Sequence, residues 1–392
     1  MPTEQSTYVV VGAGLAGAAT AWRLAEAGHA VAIVERGQPA DHGGSSHGSA
    51  RIFRYAYPST FYTDLVLRSR PLWSELEAAA GEQLITRTGC LDWGERRNPL
   101  ALARALEGLG IEHELLSPQA AAERWQIEFD STVLWHPDAG VIDAERSVEA
   151  MVSLAISHGA RLHGDWDVQR IDRTRTGYRL HSATGDTMEA ERVVICAGGF
   201  LPRLLRNLDV NQDFVAAMPN FSVTQEQAYH FPYLDDAGGW PTFIHKTDDI
   251  QTYSLPGGRD AEFRGQKLAE YAVGKSLPSA YDQDGQIDPA NRRRVIAYVK
   301  RNLPGLVPEP YAETTCLFTN TPTEDFVLER DENLTVISPC SGHGAKFAPL
   351  VGVLAANLAS ASTPAVGRAG LPRQFLVGGS RGAISPAVGA SQ

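Results

Sequence analysis

The strongest constraint on the fold lies in the first 35 residues. Tyr8-Val9-Val10-Val11 has the apolar, β-branched make-up of a buried strand and runs straight into Gly12-Ala13-Gly14-Leu15-Ala16-Gly17. Ala18 to Ala27 is helical in pattern and stops at Gly28, and a second strand, Ala30 to Val34, ends on Glu35. In such a strand–helix–strand unit the first glycine permits a tight turn, the second lets backbone approach a pyrophosphate, and the third lets helix pack on strand. The helix N-terminus offers its free N–H groups to the phosphates. Glu35 stands 18 residues past Gly17, near the ~20 expected for an acid that hydrogen-bonds a ribose hydroxyl. A bare G-x-G-x-x-G is weak; with both strands, the helix and the acid in register, it specifies a dinucleotide-binding unit.

The rest of the chain does not continue that rhythm. Helical patterns recur at Ala101–Gly108, Pro118–Arg124, Asp143–His158 and Pro289–Asn302. Gly159 to His163 opens a strand pair that continues through Val168, and Arg192 to Cys196 is a strand ending in Ala197-Gly198-Gly199, where a second part of the nucleotide domain would abut a cofactor. Phe221 to Tyr253 is rich in aromatic and β-branched residues, with turns at Asp235-Asp236 and Gly238-Gly239, and predicts a separate antiparallel sheet. There is neither an internal repeat nor a Pro/Gly/Ser-rich linker. At 392 residues the expectation is an α/β protein with a Rossmann-like nucleotide domain (1–85, 140–215 and 320–392) interleaved with a substrate domain on the antiparallel sheet (86–139 and 216–319).

Composition removes several function classes. The net charge of −11 repels phosphate backbones and anionic membranes, so nucleic-acid and membrane partners are not expected. Arg292-Arg293-Arg294 reads as a solvated helix face. The four cysteines are scattered, without C-x-x-C spacing, and no H-E-x-x-H occurs, so neither a disulfide framework nor a metal site is expected. The polar N-terminus lacks a basic region before its apolar stretch and no apolar run reaches the ~20 residues of a membrane span, which gives a cytoplasmic protein as the expectation.

Three further segments hold chemically able residues. Gly43 to Tyr57 is a loop of small residues opening into Arg51 and Arg54, whose planar forks suit a carboxylate; alone it also reads as a surface loop followed by a helix with exposed arginines. Thr315 to Phe326 contains Cys316, which by itself reads as a small core residue. Pro339 to Phe347 brackets His343 with Gly342 and Gly344 and places Lys346 at a helix entrance, where it could equally be solvated.

The ordered set G-x-G-x-x-G, S-S-H-G-x-x-R-x-x-R, C-x-x-T-x-T-P and S-G-H-G-x-K-F resembles the monomeric sarcosine oxidase and N-methyltryptophan oxidase family, within the D-amino-acid-oxidase-like flavoproteins, from Gly12 to about Leu358. The resemblance implies a two-domain flavoprotein with FAD at the domain interface, linked covalently through Cys316. It implies a cofactor site lined by Gly12, Gly14, Gly17, Glu35, Ser46, His47, Arg51, Val168, Ala197, Gly342, Gly344 and Lys346. Arg54 and Lys346 would clamp the substrate carboxylate, and Lys267 would sit near flavin N5 and assist O₂ reduction. The implied reaction converts a secondary (N-methyl) or cyclic amino acid to an imine and reduces O₂ to H₂O₂ in a monomeric enzyme. Two positions depart from the sarcosine pattern: Phe318 replaces a tyrosine and Tyr271 a histidine, while Tyr253 keeps an aromatic wall. Missing hydrogen-bond partners change discrimination by orders of magnitude, so another secondary or cyclic amino acid competes with sarcosine. The alternatives are a flavin dehydrogenase using another electron acceptor, a non-catalytic flavin-binding subunit, and a nicotinamide dehydrogenase sharing only the first unit.

Overall fold

A computed structural model describes residues 4–234 and 239–361. The Asp235-Asp236 turn, Gly238 and residues 362–392 lie outside it. Strand β1 (Glu4–Val11), helix α1 (Leu15–Glu26) and strand β2 (Val31–Val34) form the expected unit, with Tyr8 opposite Val31 and Val11 opposite Val34 in parallel register. Tyr8 and Val10 enter one apolar cluster and Val9 and Val11 the other. Burial on both faces is why this strand reads as an unbroken apolar run.

Around this pair grows an eight-stranded sheet. Thr187–Ile195 joins β1 in parallel; its first half pairs antiparallel with Tyr178–Ser182 and its second half parallel with Leu334–Ser338. On one face α1 packs against helices Ala144–Ser157 and Ala348–Ser360. Gly352 permits the second contact, since a Cβ there would lie 2.6 Å from Ala19 O.

A nine-stranded sheet carries Cys90–Trp93, Ser222–Phe231, Thr242–Lys246, Gln251–Pro256, Gln266–Glu270 and Ala312–Asn320 among its strands. Its pairings are antiparallel except between Thr242–Lys246 and Cys90–Trp93. The carboxyl ends of the first sheet's parallel strands open toward this second sheet, the position at which open α/β sheets bind ligands.

Two local expectations are corrected. Gly159–Val168 is not a strand pair: Arg161–His163 lies parallel to β2 at the sheet edge, while Val168–Arg173 pairs with Tyr178–Ser182. The connection is pinned to the end of β2, where Trp166 N–H donates to Glu35 O at 2.8 Å and Asp165 N–H to Gly37 O at 2.9 Å. Arg51–Phe53 is a strand of a small three-stranded sheet, not an exposed helix. The helix begins only at Thr60 and runs to Ala80, past Pro71.

Candidate active site

The two sheets enclose a cavity of about 680 Å³, within the usual range for small-molecule sites. Of the residues named from the sequence, Gly12, Gly14, Glu35, Ser46, Arg51, Arg54, Val168, Ala197, Tyr253, Lys267, Tyr271, Cys316, Gly342, Gly344 and Lys346 line it. Gly17 and His47 do not. A Cβ on Gly17 would meet Gly12 O at 1.8 Å, so this glycine sets the contact between α1 and β1 instead of touching a ligand. His47 is buried with its ring 4.9 Å from that of His42, and burial first, then Arg51, push it down to about 3.

At the nucleotide end, Gly12 has φ +99° and a Cβ there would lie 2.5 Å from Cys196 O. Glu35 accepts from Ala13 N–H at 2.5 Å; burial nevertheless raises its carboxyl above the usual range. Ser46 Oγ accepts from Leu15 N–H at 3.0 Å, tying the 43–50 loop to the start of α1. Arg51 donates to the carbonyls of Ala50, Ser45 and His47 at 2.9–3.0 Å, which fixes its guanidinium against the cavity wall. A glycine cradle without room for side chains, a half-buried acid at the end of β2 and a helix N-terminus whose N-cap, Gly14, has no side chain fit FAD.

Farther along, Cys316 projects from Ala312–Asn320, whose register sets it opposite Glu226. Burial raises its thiol pKa, while Arg51 and Lys267 pull it the other way. Lys267 is 7% exposed, and burial together with Arg51 lowers it to about 8. Burial also pushes the Tyr253 hydroxyl well up, keeping it neutral.

At the far end Lys346 is 3% exposed rather than solvated. Its Nζ donates to Tyr57 Oη at 3.0 Å and to His343 O at 2.7 Å. Its own carbonyl accepts from Ser69 Oγ and Trp73 Nε1, both at 2.8 Å, on the Thr60–Ala80 helix. Burial and Arg54 hold its ammonium well below the ordinary lysine range. Arg54 stacks 4.5 Å from the Tyr57 ring centroid and donates to Ala56 O. Tyr57 is thus the brace shared by both cations.

Residues without a sequence signal also line this end: Arg97, Lys246 and Glu324. Arg97 sits in an Arg96-Arg97 doublet that reads as surface charge. Lys246 shares a strand face with Ile244 two residues earlier, and that period-2 alternation is the one cue that could have exposed it.

A cradle for a dinucleotide that leads into a chamber with a thiol, a buried lysine and a pair of cations defines a flavin-dependent oxidoreductase. The chain belongs to the FAD dependent oxidoreductase family, whose model matches residues 7–358. It is 30% identical over 375 residues to monomeric sarcosine oxidase of Streptomyces avermitilis, covering 91% of this chain and 94% of that one. To N-methyl-L-tryptophan oxidase of Yersinia pestis it is 27% identical over 365 residues, covering 90% and 94%. The open form of NikD, an unusual amino acid oxidase essential for nikkomycin biosynthesis, superposes with a TM-score of 0.82 at 25% identity over 93% of this chain and 96% of that one. L-proline dehydrogenase from P. horikoshii shares the fold, with a TM-score of 0.76 at 20% identity over 91% and 94%. The protein is an FAD-dependent oxidoreductase acting on CH–NH bonds. Among the described residues no helix is long and apolar enough to cross a membrane.

Proposed function

We propose that the protein oxidises a secondary (N-methyl) or cyclic amino acid to its imine and delivers the electrons to O₂, forming H₂O₂. The reading is carried by one observation: Arg54 and Lys346, both braced on Tyr57, face the same cavity as the glycine cradle and Cys316. Its likeness to the sarcosine and N-methyltryptophan oxidases supports it.

FAD, when bound, supplies the two-electron acceptor for the substrate C–H bond. Arg54 and Lys346 hold the carboxylate from two sides, restricting the amino acid to one pose and removing the entropic cost of alignment. The cations around that pose disfavour an ammonium, so the substrate amine is held in the neutral form that oxidation requires. Tyr253, Tyr271 and Phe318 wall the chamber. Lys267 keeps a positive charge, fixed by its strand, where negative charge develops as O₂ is reduced.

Gly12, Gly14, Glu35, Ser46, Arg51, Val168, Ala197, Gly342 and Gly344 are assigned to FAD, Gly17 to the packing beneath it and His47 to support behind Arg51. Cys316 is assigned the thioether to the flavin. Segments 1–85, 140–215 and 320–361 form the cofactor domain in this reading, 86–139 and 216–319 the substrate domain, in a monomer working in the cytoplasm.

Acid denaturation tests it. The expected result is a yellow chromophore that stays with the polypeptide and maps to the Cys316 peptide, with H₂O₂ released from N-methyl or cyclic amino acids. Flavin released intact removes the Cys316 assignment, and turnover without H₂O₂ moves the protein to the dehydrogenases.

A further inference from the structure

The clamp end of the cavity holds two cations, Arg97 and Lys246, besides the Arg54 and Lys346 that hold one carboxylate. Arg97, just past the strand Cys90–Trp93, is gripped from behind: its Nε donates to Asp92 Oδ1 at 2.6 Å and its Nη2 to Ala56 O at 2.8 Å. Arg54 donates to that same carbonyl, so two guanidinium groups stand side by side on one acceptor. Lys246 ends the adjacent strand, whose His245 lies opposite Trp93, and carries its Nζ 4.4 Å from the Tyr271 ring centroid.

Of the carboxylates nearby, only Asp92 is in an ion pair among the described residues; Glu324 and Asp325 are held by tyrosine hydroxyls and keep their charge. Asp92 is paired with Arg97. Glu324 accepts from the Tyr271 hydroxyl at 3.2 Å, and Asp325 accepts from the Tyr62 hydroxyl at 2.9 Å. Among the described residues Lys246 has no ion-pair partner. Burial, then Arg97 and Arg54, lower its ammonium to about 8 against the opposing pull of Glu324 and Asp92. Like charges crowded in a partly dry site are relieved by an anionic ligand. The substrate α-carboxylate on Arg54 and Lys346 relieves that pair; with Arg97 on Asp92, Lys246 is left without a paired anion.

We propose that Lys246 and Arg97 form a second anion subsite and that the substrate is a dicarboxylic secondary amino acid, its second carboxylate carried on the N-substituent or the side chain. This rests on the amino-acid oxidase reading above and narrows its substrate class. Arg97 supplies a rigid fork fixed by Asp92 and Ala56 O, and Lys246, on the adjacent strand, a point charge on a flexible stem, a pairing suited to a carboxylate.

The test uses the flavin-loaded enzyme and two ethers without an oxidisable amine: methoxyacetate with one carboxylate and oxydiacetate with two. Each is titrated against the visible flavin absorbance. Oxydiacetate is expected to bind at least about tenfold more tightly. That preference should shrink to about twofold in Lys246→Met and persist in Lys246→Arg, with unchanged flavin content verifying that both variants fold. Equal affinities in the unmodified enzyme, or a preference that survives Lys246→Met, overturn the second subsite while methoxyacetate binding leaves the oxidase reading intact. Failure of both ethers to perturb the flavin overturns the carboxylate clamp and the oxidase reading with it.

Discussion

The positive end of the cavity depends on a carboxylate that no ligand touches. Asp92 is fully buried; its Oδ1 receives Arg97, and its Oδ2 lies 3.8 Å from both Cys90 Sγ and His136 Nδ1. Asp92→Asn keeps the volume and removes the charge, leaving the Arg97 guanidinium, 5% exposed, without a counter-ion. His136 cannot compensate, since an imidazole is only neutral or positive, and burial pushes it down to about 4, so it adds no charge at pH 7. Breaking a buried pair by removing one partner costs about 3–5 kcal/mol. At about 1.2 °C per kcal/mol for a chain of 392 residues, the melting temperature should fall by about 4–6 °C. Asp92→Leu combined with Arg97→Met removes both desolvation penalties and should recover most of that loss. Thermal melts of the flavin-loaded proteins followed by circular dichroism measure both variants. A single variant melting within about 2 °C of the parent, or a double variant no better than the single, would refute the dependence of Arg97 on Asp92.

Other consequences can be checked separately. Gly17→Ala drives a methyl to 1.8 Å from Gly12 O, which should cost about 1–3 kcal/mol and lift α1 from β1; the flavin-to-protein absorbance ratio should drop, and an unchanged ratio counts against the packing role. Lys346→Met leaves the substrate carboxylate with one cation, so kcat/KM should fall by about 10²–10³ at unchanged flavin content, and a loss below about tenfold contradicts the clamp. Lys246, faced by Arg97, Arg54, Tyr271, Glu324 and Asp92, carries its charge below its lowered value of about 8 and loses it above. The preference for oxydiacetate over methoxyacetate should therefore be full at neutral pH and shrink as pH rises through about 8; a preference flat to about pH 9.5 excludes the lysine as its source.

The strand–helix–strand unit was legible because each of its constraints is local. Gly12 needs a positive φ, Gly17 a missing Cβ, and Glu35 a fixed distance along the chain, and all three are visible as spacing. Cys316 and Lys346 could be singled out only through the order of four motifs; alone they read as a core thiol and a surface lysine. The strand at Arg51–Phe53 and the parallel partner of Arg161–His163 were misread, because hydrogen-bond partners 87 or more residues away decide them. Arg97 carried no readable signal, and Lys246 only its period-2 alternation with Ile244.

The amino-acid sequence by itself determined the cofactor cradle and the class of chemistry, since steric demands on glycine and the turn-to-helix geometry act within a few residues. Only the tertiary structure decided the charge of the substrate chamber. Arg54, Arg97, Lys246 and Lys346 come from separate segments, and their electrostatics depends on through-space distance and burial. Those quantities arise when two sheets close on one cavity, so no pattern along the chain encodes them.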